Sequence, residues 1–558
     1  MVRRVMNLMY KEVRGLHQAA YVLGIFAFGS QLLALIRDRM LAHEFGAGIE
    51  LDLYYTAFRI PDLLYVIFAS TLSVYVLIPF VAKRMQGDDS SEARYLLSQM
   101  FSIFLLVYTL VAGTFFVFAP YIVGYLFPGL ASDSDTLVTL IRILLLQPLF
   151  LGLSSLFGVV TQLSHRFILY AVSPLLYNLG IIIGIGVLYP VFGLSGLVYG
   201  VVFGAFMHMA VQVPLVQKSA LHFGYVTKIN WSDIRSVLSV SIPRAFTLSM
   251  HQFVLLILVG IAGSMTVGSV AVFQFAYNLQ SVPLAVIGAS YSTAAFPLLA
   301  DLFAQSKMDQ FRLYVTTALR HIIFWSVPII ALIIVLRAQM VRVVLGSGAF
   351  DWGDTRLTAA VLSLLAISLL AQAINLLLIR AFYAAGRTSI PFMVTLFGSV
   401  LSVASVLLLY FVYHTAPGFD HKIEGLMRVV GVPGSEVMVI GLGYSIGMIL
   451  QTVTLFYIAV RKFSIQVGWL GGHFLKSLLA GLVGAFFAYI TLNFFVEGLN
   501  TSRFLGIFLQ GVLGSLAGLV GVIGAYRLVR SSELNEIYKS VHGRMYKARI
   551  VASQDDVL

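Results

Sequence analysis

Apolar runs about as long as a bilayer is thick recur along the whole chain, separated by short stretches rich in charge, Gly or Pro. A helix needs about 20 residues to cross the hydrocarbon. Runs of that length fall near residues 17–38, 51–82, 96–127, 136–163, 167–189, 192–216, 236–262, 268–300, 313–345, 357–383, 390–413, 437–460, 473–496 and 504–529. The pattern predicts an all-α polytopic membrane protein with about fourteen transmembrane helices. The runs are too long for barrel strands. Several exceed the bilayer thickness, so tilt or projection beyond the membrane is expected. Composition agrees: 59% of the 558 residues are hydrophobic and 11% charged, against roughly 25% charged in soluble proteins. The chain has no Cys, which removes disulfide and thiolate chemistry. The start, MVRRVMNLMYKEVRG, is basic but lacks a short apolar region with a small-residue cleavage site, so no removed signal peptide is expected.

The net charge of +12 admits two explanations, a nucleic-acid partner or the positive-inside rule. Position decides between them. With a cytoplasmic N-terminus, Lys and Arg concentrate in the tail 1–16, in "KRMQGDDSSEAR", in "SHR", in the linker 217–235, in "DLFAQSKMDQFR", at Arg387, at Arg461-Lys462 and in the basic tail 531–558. All of these fall on one side, so both termini are predicted cytoplasmic and no nucleic-acid partner is expected.

Candidate chemistry lies where charge enters the apolar runs. In "ALIRDRMLAHEFGAG", residues 34–48, Arg37, Asp38 and Arg39 arrive before the first run has ended. A cation there costs about 2.5–3.5 kcal/mol on insertion scales and usually faces a cavity or a partner. Asp38 can hold Arg37 in one rotamer until an anionic group displaces it; the bland alternative is a helix-end pair that only fixes register. Arg59 stands in "AFRIPDLL", where Pro61 should kink the helix. Arg244 follows Pro243 in "SIPRAFTLS". His251, in "SMHQF", is the titrating group deepest in the seventh run, although a lone His is more often a packed residue. Asp52 reads as a cap or loop charge. Arg142, Arg320, Arg380 and Lys476 sit close to predicted ends and read as snorkelling cations. Residues 413–437, the longest external loop, read as a solvated connector. No nucleotide-binding loop, metal-binding helix or nucleophile motif occurs, so no catalytic residue, metal or cofactor is expected.

A weak repeat is present. "LFPGLASDSDTLVTLIRILL" and "VLGSGAFDWGDTRLTAAVLSLL" lie six predicted spans apart, and Asp135-Thr136 of the first pairs with Asp354-Thr355 of the second. An even number of spans keeps the topology parallel, so the halves should be related by an axis along the membrane normal with a cavity between them.

Three stretches carry a family resemblance. "LLALIRDRMLAHEFGAGIELDLYYTAFRIPDLL", "VLGSGAFDWGDTRLTAAVL" and "IRAFYAAGRTSIP" resemble the MurJ (MviN) family of lipid II flippases, within the MOP exporter superfamily. The resemblance implies two six-helix lobes, 17–216 and 236–460, around a central cavity, with two further helices at 473–530 forming a lipid-tail groove. It implies alternating-access transfer of lipid II, or a similar undecaprenyl-linked diphosphate, across a bacterial plasma membrane by a non-enzymatic transporter, expected to be a monomer. It supports a substrate site at Arg37 and Asp38, to which the residues themselves add Arg59 and Arg244 as candidate cations and Gln31, Asn278 and His251 as further polar groups. The chain departs from the family at Gln31, Tyr65 and Asn278, where cavity arginines are usual. A polysaccharide-lipid flippase, a drug/cation antiporter or a non-transporting scaffold of the same fold are the alternatives.

Overall fold

The computed structural model describes residues 16–85, 90–495, 504–536 and 538. The predicted N-terminal tail, the turn 496–503 and most of the basic C-terminal tail lie outside the described residues. Among the described residues the fold is all-helical. Twelve helical stretches are long and apolar enough to cross a membrane, or up to thirteen if a pair bent by 45° is one span. The first predicted span falls on a further helix, α1 (Leu16–Phe45).

The second span is broken. It comprises α2 (Ile49–Ala57), α3 (Arg59–Thr71) and α4 (Val74–Lys83), with a turn at Phe58. Pro61 explains this break: it has no N–H to give, and its ring presses on the carbonyl one turn earlier, at Ala57. There follow α5 (Ser91–Leu126), α6 (Ser134–Leu144), α7 (Leu146–Leu163), α8 (Phe167–Ile183), α9 (Leu194–Ala210) and α10 (Trp231–Ala262). Helix α8 continues into a π-helical turn at Gly184–Leu188. The remaining helices are α11 (Ser269–Leu284), α12 (Ser290–Ala304), α13 (Met308–Val344), α14 (Trp352–Ala366), α15 (Leu369–Ala384), α16 (Ser389–Thr415), α17 (Phe419–Met427), α18 (Met438–Phe463), α19 (Leu470–Ile490) and α20 (Phe504–Leu528).

Backbone contacts divide the chain into two compact units. The first holds residues 1–275, 344–357 and 395–440. In it, α8 and α9 meet through glycine: a Cβ on Gly180 would fall 2.2 Å from the Gly204 Cα, and one on Gly200 would fall 2.3 Å from the Gly184 Cα. Small residues let helix backbones approach closely where no water drives association. The segment that enters α10 is not slack. Gln99 accepts from the Asn230 amide at 2.6 Å, Ser102 from Val226 at 2.8 Å and Ser98 from Gly224 at 3.3 Å, while Tyr95 donates to the Lys228 carbonyl at 3.0 Å. The stretch 413–437 is not a plain connector. It contains α17, and Glu424 there accepts hydrogen bonds from Ser435 at 2.6 Å and Tyr413 at 3.1 Å.

The second unit holds residues 276–343, 358–394 and 441–558. Its bent pair, α14 and α15, loses ladder bonds at the break, and neighbours replace them. Ser445 donates to the Leu364 carbonyl at 2.7 Å and Gln280 to Leu365 at 2.9 Å. Buried residues Phe324, Leu332 and Leu336 of α13 pack with Ala480 and Ala488 of α19 and with Val522, Ala525 and Tyr526 of α20. The Tyr526 ring stacks on Phe324, and its hydroxyl donates to the Phe324 carbonyl at 2.7 Å.

Candidate functional site

The first unit gathers charge inside apolar helices. Arg37, near the end of α1, donates to the same Asp38 oxygen through Nε (2.9 Å) and Nη2 (2.7 Å). Its Nη1 donates to the side-chain oxygen of Asn178 at 3.2 Å. Asn178 is carried by α8, which packs along α1, and its amide donates in turn to the Ser30 hydroxyl at 3.1 Å and the Pro174 carbonyl at 3.2 Å. Asp38 is buried; the Arg37 side chain keeps a fifth of its surface. Arg37 is therefore oriented by its neighbour in sequence and by one amide from another helix. Of its neighbours, the carboxylate is the group an incoming anion would exchange with.

Arg59 opens α3 directly after the break and is buried. Its Nε donates to the Tyr55 carbonyl one turn earlier at 3.1 Å, and its Nη2 donates to Gln274 of α11 at 2.6 Å. Asp62 follows on α3, within electrostatic reach of Arg59 and beside Gln147, whose amide donates to the Tyr177 hydroxyl at 3.2 Å. Tyr54, Tyr55 and Tyr177 all lie within the field of Arg37. Two guanidinium groups, two carboxylates and a ring of amides and phenols thus share one interior region of this unit. An arginine fork suits phosphate because it offers parallel donors and stays charged.

The other sequence candidates fall as follows. Arg244 and His251 lie on α10, which packs along α3; both are partly buried, and His251 feels the charge of Arg59. Gln31 is exposed on α1. Tyr65 stands beside Asp62 and Ser155. Asn278 sits one turn beyond Gln274 on α11, past the boundary of the second unit. Sequence reading missed Asn178, Gln274 and Gln147; the available signal was a neutral amide inside an apolar run.

Asp52 is a cap. Buried at the start of the broken span, it accepts from the amides of Gly268 (2.7 Å) and Ala271 (2.8 Å) at the N-terminus of α11. Carboxylates suit that position because the first amides of a helix lack ladder partners. Asp354, from the repeated Asp-Thr pair, does similar work for the turn before α2 and accepts from the Ala47 amide at 3.1 Å. Asp354 lines a cavity of about 230 Å³ together with Ala47, Gly434 and Gly268, whose amide Asp52 holds. Arg320 corrects the snorkelling reading: its guanidinium is paired with Glu533 at 2.7 Å.

This arrangement, charged groups held inside a bundle of apolar helices, is that of a multi-pass transporter. Comparison with known proteins gives the particular family. Residues 41–509 match the model of the family described as lipid II flippase MurJ. A probable lipid II flippase MurJ of Rickettsia prowazekii (strain Madrid E) is 25% identical over 407 residues, covering 71% of this chain and 78% of that protein. One from Buchnera aphidicola subsp. Acyrthosiphon pisum (strain APS) is 24% identical, covering 84% and 94%. Among solved structures, a lipid II flippase MurJ in an inward closed conformation superposes with a TM-score of 0.72 at 21% identity, over 92% of this chain and all of that one. An inward-facing multidrug resistance MATE transporter of the MOP superfamily follows at 0.64 and 14% identity, over 78% and 94%. The chain belongs to the lipid II flippase MurJ family.

Proposed function

We propose that this protein is a flippase that moves lipid II, or a closely similar undecaprenyl-linked diphosphate, from the inner to the outer leaflet of a bacterial plasma membrane. The observation that carries the reading is the family match over residues 41–509, joined to an Arg37–Asp38 pair held among apolar helices. The tail of such a lipid stays in hydrocarbon, but its diphosphate needs a hydrated path lined by cations. Arg37 is the first contact for that head group and Asp38 the counter-ion it displaces. Arg59 and Arg244 supply further positive charge. The halves 17–216 and 236–460 alternate access around the site, α19 and α20 guide the tail, and both termini face the cytoplasm of a protein acting as a monomer. No catalytic step is required of it.

Drug or cation exchange is the second reading, supported by the fold likeness to the MATE transporter. Depletion of the resident flippase in a bacterium, with this gene supplied in trans, tests the proposal. Growth with normal cell shape is expected. Lysis at normal membrane levels of the protein would overturn it, and binding of purified protein to a polysaccharide-linked lipid in preference to lipid II would move it to that substrate.

A further inference from the structure

A second buried charge cluster lies in the second unit and uses none of the groups assigned above. Helix α20 ends at Leu528 and the chain turns back through Arg530, whose φ of +48° is left-handed; the Ser531 amide closes the turn on the Tyr526 carbonyl at 3.0 Å. The segment 531–536 then lies against α13 and α19. Its Glu533 is 3% exposed. Three nitrogens converge on one Glu533 oxygen: Arg320 Nε at 2.9 Å, Arg320 Nη2 at 2.7 Å and His473 Nδ1 at 2.7 Å. The other oxygen accepts from the Ser531 hydroxyl at 2.7 Å. Next to it, Glu536 meets His321 at 3.1 Å but is nearly half exposed. Lys476, one turn along α19 from His473, adds its charge.

The pocket walls and its occupant come from different places. Arg320 and His321 stand on α13, His473 and Lys476 on α19, and the carboxylates on a short segment that follows the last span. Arginine and histidine converging on one oxygen, with a lysine charge nearby, form a donor set suited to a phosphate, and the arginine fork gives paired bonds. The place is also right for one. Helix α19 begins at Leu470 and α20 ends at Leu528, so the pocket sits where two consecutive apolar spans terminate, beside the partly buried Trp469. Tryptophan favours the headgroup level of a membrane. The Nδ1 of His321 is buried without a partner, so the walls retain a donor or acceptor that the carboxylates do not use.

We propose that this pocket binds the phosphate of a membrane lipid, with Glu533 as its built-in competitor. In the present state the carboxylate fills the pocket. When segment 531–536 swings out on the Arg530 turn, Arg320, His473 and Lys476 face the headgroup layer and hold a phosphate in its place. The ligand is a lipid phosphate ester or diphosphate, from either a resident anionic phospholipid or the undecaprenyl-linked substrate class.

Native mass spectrometry of the full-length protein in mild detergent tests this with four probes: phosphatidic acid, undecaprenyl diphosphate, diacylglycerol and inorganic phosphate. E533Q should raise affinity for at least one phosphorylated lipid about fivefold or more, and the E533Q/R320Q double variant should lose that gain. The lipid with the larger gain identifies the source; a gain with inorganic phosphate as large as with either lipid would show a phosphate site that does not read the lipid, and would overturn the proposal. So would affinities for both phosphorylated lipids within about twofold of the natural protein, or an equal gain for diacylglycerol. Should E533Q fail to fold, H473Q is the second variant: it leaves the Arg320–Glu533 pair in place and should weaken binding of the phosphorylated lipid about threefold, and unchanged binding would overturn the proposal.

Discussion

The two buried arginine–carboxylate pairs differ in how far apart their partners lie in sequence. Arg37 is paired with the very next residue. Arg320 is paired with Glu533, 213 residues on. The Arg37–Asp38 contact itself closes no loop, and what ties it to another helix is the longer bond to Asn178 at 3.2 Å. A distant pair ties the segment after the last span to α13 and, through His473, to α19. The first is built to be exchanged at small structural cost; the second holds tertiary structure for as long as it is closed. The two should therefore fail in different ways.

The largest effect is expected at Arg37. Arg37→Ala should abolish complementation, while Arg37→Lys keeps the charge, loses the fork and should retain activity reduced about tenfold. Membrane level should stay close to that of the natural protein in both, and so should the melting temperature of Arg37→Lys; Arg37→Ala also takes a partner from the buried Asp38 carboxylate and should lose some stability. Full growth with either variant at equal expression would remove Arg37 from the substrate site. Asp38→Asn should also change activity with normal insertion, since it frees Arg37 from its counter-ion.

Arg320→Gln should be felt first in stability. Breaking a buried pair by removing one partner costs about 3–5 kcal/mol, so the melting temperature of the purified protein should fall by several degrees. A variant as stable as the natural protein would erase the contrast between the two pairs.

Acidity sharpens the same contrast. Burial opposes the Glu533 charge, but bonds from Ser531, its own amide and Arg320, with His473 nearby, hold its pKa down to about 2, below the ordinary 4.5. A carboxylate depressed in the folded state contributes stability that is fully present above its unfolded pKa and is lost as pH falls through the folded value. The melting-temperature gap between the natural protein and Glu533→Gln should thus be flat from neutral pH down to about 5, and shrink progressively below about 4.5. A gap that already closes between pH 7 and 5 would contradict this.

The smallest effect is expected at Asp52. Asp52→Ala removes two cap bonds from α11, and loss of a cap costs about 1 kcal/mol. A shift of one or two degrees in melting temperature should report it.

What the sequence disclosed follows from the same physics. The all-helical, apolar character was legible because hydrocarbon tolerates so few polar groups. Arg37 and Asp38 were legible as charges placed too early, and Arg59 through Pro61, whose break does fall just before it. Asp52 was read as a cap or loop charge, and it caps α11. Asn178 and Gln274 were passed over because an amide carries no charge and its importance lies in which helix faces it. Arg320 was misread for a related reason: closeness to a span end is visible in one dimension, whereas a partner beyond the final span is not. The stretch 413–437 hides a helix whose hydrogen bonds join residues too far apart for a local pattern to show.

The side chains of Tyr95, Ser98, Gln99 and Ser102 grip the main chain between Gly224 and Asn230 residue by residue. The peptide that joins the sixth span to the seventh therefore travels with α5 as part of its surface. It is a seam, not a hinge string. Any motion between the sixth and seventh spans therefore draws no slack from residues 224–230.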